Sequence, residues 1–87
     1  MLFLISSAPD TKEFQTAIRM AKDVNAGICL LQNAVYASRT SGESGVYVLS
    51  SDLKLRGISE DEISGKPIEY ADLIDLMTDA DKVIGIF

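Results

Sequence analysis

Ile28-Cys29-Leu30-Leu31 is an unbroken apolar run between a helical pattern and a polar turn, and its reading decides the fold. Three more runs resemble it: Leu2-Phe3-Leu4-Ile5, Val46-Tyr47-Val48-Leu49 and Val83-Ile84-Gly85-Ile86-Phe87. None alternates apolar with polar residues, as a strand with one wet face would. Continuous runs of this length predict strands buried on both faces of a parallel sheet. Pro67-Ile68-Glu69 is a weaker fifth candidate, with Pro67 suited to a strand start or an edge.

Helical patterns separate the runs. Asp10-Thr11-Lys12-Glu13 has capping-box spacing, with Asp10 as N-cap and Glu13 reaching back. Phe14, Ala17, Ile18, Ala21 and Val24 then recur at three- and four-residue steps, and Asn25 and Gly27 end the helix. Asn33 suits the N-cap of a short helix running to about Ser38. Thr40-Ser41-Gly42-Glu43-Ser44-Gly45 reads as a loop. Ser51 is placed to cap a helical turn over 52–56, closed by Gly57, and Ser59 to cap another. Tyr70, Leu73, Ile74 and Met77 form the stripe of a last helix, with Asp72, Asp75 and Asp79 on its wet side. Alternating strands and helices predict a three-layer α/β sandwich with a mainly parallel sheet of four to five strands, as one domain over residues 1–87.

Composition excludes several function classes. The net charge of −5 argues against direct nucleic-acid or anionic-membrane binding, which needs clustered Lys and Arg. Residues 1–42 carry a balance of +1 and residues 43–87 one of −6, so the second half is either a solvated face or a surface for a basic partner. No stretch approaches the roughly 20 apolar residues of a membrane span. The first residues lack a basic segment and read as a strand rather than a signal peptide. With no histidine and one cysteine, the chain holds no Ser-His-Asp or Cys-His arrangement, no His-containing zinc site and no internal disulfide. A lone thiol fits a reducing cytoplasm.

Candidate sites lie where parallel sheets place them, past the carboxyl ends of strands. The turn from Ser6 to Thr11 has no glycine to let a phosphate approach, and Asp10 would occupy the helix end, so a nucleotide or flavin site is disfavoured. Gly42-Glu43-Ser44-Gly45 lacks the Lys-Ser/Thr of a phosphate loop. Cys29 is the obvious nucleophile, yet it sits mid-strand with no basic neighbour in sequence and reads as a core residue. Gln32, Asn33 and Tyr36 could line a polar pocket or a subunit boundary. Capping and packing account for them equally well.

Leu30-Leu31-Gln32-Asn33-Ala34-Val35-Tyr36-Ala37 resembles the signature of the DsrH/TusB family, with Ala34 where many relatives have Gly. Val46-Tyr47-Val48-Leu49-Ser50-Ser51-Asp52-Leu53-Lys54-Leu55-Arg56-Gly57-Ile58 resembles its strand followed by an Asp-aliphatic-x-Ala/Leu-Arg-Gly turn. Ile68-Glu69-Tyr70-Ala71-Asp72-Leu73-Ile74-Asp75-Leu76 is similar to its Tyr-x-x-Phe-x-x-Leu final helix. The three segments keep the family's order over nearly the whole chain. The resemblance implies a DsrEFH-like fold and a part in sulfur relay, in tRNA 2-thiouridine formation or sulfur oxidation. It implies partners similar to DsrE/TusD and DsrF/TusC, or a homodimer, with the persulfide carried mainly by the DsrE/TusD-like chain.

Several DsrH proteins have a thiol in the first helix. Counting back from the Leu30–Tyr36 match puts that position near Ile18, so the thiol is not carried over. The leading expectation is a non-catalytic structural or docking subunit of a cytoplasmic sulfur-relay assembly, with no cofactor and no metal. A sulfurtransferase carrying persulfide on Cys29 and a small-ligand binding module are the alternatives. Ser6, Gln32, Asn33, Tyr36, Ser50, Asp52 and Arg56 are the pocket or interface candidates.

Overall fold

The computed structural model describes residues 1–39 and 46–86, so the 40–45 loop lies outside the described residues. Strands β1 (Leu2–Ile5), β2 (Gly27–Leu30), β3 (Val46–Leu49), β4 (Lys66–Ile68) and β5 (Val83–Ile86) form one sheet in the order β4-β3-β2-β1-β5. Every pairing is parallel, with Phe3 beside Ile28 and Ile84, and Ile28 beside Val46. Helices α1 (Lys12–Asp23), α2 (Ser50–Leu55) and α3 (Tyr70–Asp79) and a 3₁₀ segment (Gln32–Arg39) supply the outer layers.

The unbroken apolar runs follow from this layering. Strand side chains alternate between faces, so a sheet covered on both sides needs apolar residues at every position. Phe3, Ile5, Ile28, Leu30, Val46 and Val48 join Phe14, Ala17 and Ala21 of α1, Val35 of the 3₁₀ segment and Leu53 of α2 in one core. Leu2, Leu4, Cys29, Leu49 and Ile68 join Leu73 of α3 in the other. Burying each large aliphatic or aromatic side chain stabilises the fold by about 1.5–3 kcal/mol. β5 is an edge strand, and its Val83 and Gly85 remain exposed.

Several local expectations are corrected. Thr11, not Asp10, caps α1: its Oγ1 accepts from the Phe14 N–H at 3.2 Å, and Asp10 is exposed. The Ala8 carbonyl accepts from the Thr11 N–H, which places the turn one residue later than the capping-box spacing suggests. At the other end Asn25, at φ 55°, closes α1 as expected. Its N–H donates to the Lys22 carbonyl and that of Ala26 to the Ala21 carbonyl, the paired bonds of a left-handed C-cap.

Asn33 lies inside the 3₁₀ segment rather than capping it. Ser51 is not a cap either: α2 begins at Ser50, directly off β3, with no side-chain cap bond from Leu49. Ser59 does cap its turn, accepting from the Asp61 N–H at 3.3 Å. Gly57, at φ 68°, follows α2 where the chain must turn left-handed. Pro67 is central in β4 rather than first, but β4 is the other edge strand. Leu73, Leu76, Met77 and Ala80 form the inward stripe near the end of the chain. Tyr70 and Ile74 are exposed.

Candidate functional site

The topology brings the carboxyl ends of β1, β2 and β3 side by side. Ile5 accepts the Leu31 N–H at 2.8 Å, and Gln32 then adopts φ 48°, which swings the chain off the sheet into the 3₁₀ segment. That left-handed residue would present an unpaired amide. Its N–H instead donates to Asp52 Oδ2 at 2.8 Å, reaching across to the first turn of α2.

Arg56 completes the clamp. Its Nε and Nη2 donate to Asn33 Oδ1 at 3.3 and 3.2 Å, and its Nη1 donates to the Asp52 carbonyl at 3.2 Å. Nη1 also stands 3.6 Å from Asp52 Oδ1, with both side chains largely covered. Four of the seven candidates, Gln32, Asn33, Asp52 and Arg56, therefore form one connected network. The spacing from Asp52 to Arg56 puts both groups on one face of α2, and the turn at Gln32 aims an amide at them.

The other three candidates stand apart. Ser50 is buried at the start of α2, and its Oγ donates to Glu60 Oε2 at 3.3 Å, tying α2 to the turn after it. Ser6 is buried at the end of β1, where its N–H donates to the Ile86 carbonyl at 2.9 Å. Tyr36 is 40% exposed on the 3₁₀ segment.

Cys29 is completely buried among Leu2, Leu4 and Leu49. Burial pushes its thiol up to about 12 from 9.0, and the Asp52 carboxylate adds to the rise. A thiol is nucleophilic and sulfur-accepting as its thiolate, so this environment opposes both chemistries. Among the described residues, no group of His, Cys, Asp and Glu side chains could hold a metal ion. No helix among them is long and apolar enough to cross a membrane.

Sequence reasoning missed one concavity. A cavity of about 280 Å³ opens between β3–β4 and α3, lined by Tyr47, Lys66, Pro67, Asp72, Asp75 and Asp79 among others. The three aspartates recur at helical spacing, which predicts a shared face. Only the position of α3 over the sheet shows that the face borders a groove.

The model of the family described as DsrH like protein matches residues 6–83. The chain belongs to the DsrH-like family. That span includes the whole Gln32–Asn33–Asp52–Arg56 network and most of the sheet. The crystal structure of the ychN protein from E. coli has the same fold, with a TM-score of 0.79, 18% identity and 97% of each chain covered. The solution structure of Tm0979 from Thermotoga maritima is similar over 94% of this chain and 97% of its own, with a TM-score of 0.73 and 29% identity. No curated protein sequence matches this chain significantly. Membership in the DsrH-like family carries a role in a sulfur-relay system and association with partner subunits of that system.

Proposed function

We propose that this DsrH-like chain, acting as one domain, is a non-catalytic structural or docking subunit of a cytoplasmic sulfur-relay complex. Its partners are DsrE/TusD-like and DsrF/TusC-like chains, and the relay serves tRNA 2-thiouridine formation or sulfur oxidation. The burial of Cys29 carries this reading. The chain's one thiol is sealed in the core and held protonated, so persulfide is carried by a partner's cysteine.

The polar clamp supports the reading from another side. Asp52 and Arg56 are engaged with Gln32 and Asn33, so their bonds stiffen the strand-end surface instead of presenting a free acid, base or nucleophile. Tyr36 lies on the same 3₁₀ segment as Asn33, and an exposed phenol is well suited to an interface. A rigid polar patch with an aromatic beside it docks a protein surface with little ordering cost.

Intact mass of the native protein after incubation with cysteine desulfurase and cysteine tests this directly. The expected result is no change, with a free thiol after unfolding. A gain of about 32 Da, one sulfur atom as a persulfide on Cys29, would make the chain a sulfurtransferase instead.

A further inference from the structure

The two faces of the sheet are covered unequally. On one, α1, α2 and the 3₁₀ segment pack together over the strands. On the other, α3 is the one helix among the described residues. Five strands at about 4.8 Å spacing make a sheet roughly 19 Å across, and a helix covers about 10 Å of that width. α3 therefore leaves a strip of sheet bare beside it. Over β3 and β4 that strip is the cavity of about 280 Å³, with Tyr47, Pro67 and Ile68 on its strand side.

The α3 wall of this groove carries Asp72, Asp75 and Asp79. Asp72 Oδ2 accepts from the Glu69 N–H at 3.1 Å as part of the capping box. The Asp75 and Asp79 side chains have no hydrogen-bond or ion-pair partner among the described residues. They stand four residues apart, a repulsive spacing for like charges on a helix. Asp79 also ends α3 beside its free carbonyls, where a cation is favoured, and the last turn holds no basic residue. Lys66 is the one cation lining the groove among the described residues, against three carboxylates. An acidic face kept only for solubility needs no apolar floor, and this one has Pro67 and the buried Ile68.

We infer that the groove is a docking site for a basic amphipathic helix of a partner protein, laid beside α3 over β3 and β4. Arginines or lysines at three- and four-residue steps repeat at about 4.5 and 6 Å along a helix axis, which is the repeat of Asp72, Asp75 and Asp79. Neighbouring helices lie about 8–10 Å apart, within reach of side-chain ion pairs between them. The apolar residues of the docked helix cover Pro67 and Ile68, and a guanidinium finds an aromatic ring at Tyr47. Such a helix completes the layer that α3 begins.

Other occupants fit less well. A free polyamine satisfies the carboxylates but leaves the apolar floor wet. A second copy of this chain carries a net −5, and α1, which holds Lys12, Arg19 and Lys22, already buries its apolar face in its own core. The inference does not rest on the sulfur-relay reading, since it concerns the charge of the occupant and not thiol chemistry.

Fluorescence anisotropy of the full chain with a labelled helical peptide of about 15 residues tests it. The peptide carries arginine at three- and four-residue steps on one flank and leucine on the adjoining face. Saturable binding is expected at low salt, at least about tenfold weaker in about 0.5 M salt. Asp75→Asn with Asp79→Asn weakens it about tenfold, with circular dichroism unchanged because both side chains are exposed. Asp10→Asn with Glu13→Gln, on exposed positions at the start of α1, leaves it intact. Amide resonances of Tyr47, Ile68 and Leu76 shift on binding.

Absence of binding at low salt overturns the inference. So does binding that ignores the Asp75→Asn and Asp79→Asn changes. A scrambled peptide of equal charge but no apolar face, or spermine, binding as tightly also overturns it and assigns the groove to loose polycations. The salt and scrambled-peptide arms use the wild-type chain, so they decide the matter even if the double variant fails to fold.

Discussion

Thiol labelling of Cys29 probes the link between burial and function most directly. The perturbation is iodoacetamide at pH 8, applied to native protein and to protein in denaturant. Alkylation proceeds through the thiolate. Moving the thiol from 9.0 to about 12 lowers its thiolate population at that pH by about a thousandfold. Complete burial slows direct attack further. Labelling through transient unfolding gives a similar bound, since a stability of about 5 kcal/mol leaves well under a thousandth of the chains open.

Native labelling is therefore expected to be at least about a thousandfold slower than in denaturant, read by intact mass against time. The linked effect on stability has a definite sign. The unfolded chain releases this proton near 9.0 and the folded chain near 12, so above pH 9.0 the unfolded state binds fewer protons. Stability is complete below 9.0 and falls as pH rises, by at most about 1.4 kcal/mol per pH unit. Cys29→Ala abolishes that part of the slope. Native labelling within about tenfold of the denatured rate, or equal alkaline slopes in the two proteins, would refute the reasoning.

Four further substitutions test the local structure by urea unfolding. Thr11→Ala removes the α1 cap and is expected to cost about 1 kcal/mol, whereas Asp10→Ala stays within about 0.5 kcal/mol. Asp52→Ala leaves the Gln32 amide without its acceptor and Arg56 without its carboxylate, for a loss of about 1–3 kcal/mol. A variant as stable as wild type would show that the clamp is not structural. Gly65→Ala puts a Cβ 2.7 Å from the Val46 carbonyl oxygen at φ 95°, so it is expected to destabilise by about 2 kcal/mol or more and to loosen β4. An unchanged unfolding midpoint would contradict that geometry.

The amino-acid sequence by itself determined the layered α/β class, because buried parallel strands leave a signature that local polarity cannot imitate. Runs apolar at every position are the pattern of strands dry on both faces, which β1 shows in full while β5 at the edge leaves Val83 and Gly85 exposed, and four such runs with helical stripes between them imply a sheet covered on each side. The lone Cys29 within such a run already pointed to an inert core thiol. Placement at one end of the sheet was legible for Gln32, Asn33, Asp52 and Arg56, since parallel topology gathers strand ends.

What these residues do to one another was settled by tertiary structure. Asn33 reads as a cap in isolation because its neighbours in sequence offer only their own amides. In the fold Arg56, 23 residues away, takes its side-chain oxygen instead. Tyr70 and Ile74 fit a helical stripe, but the stripe meets the sheet through Leu73, Leu76 and Met77, and sequence periodicity does not fix where a helix axis lies over a sheet. The strand order is non-local in the same way. Nothing within Val83-Ile84-Gly85-Ile86 distinguishes an edge from a centre, because edge status depends on which strands lie beside it, and only the folded sheet places β5 outside β1.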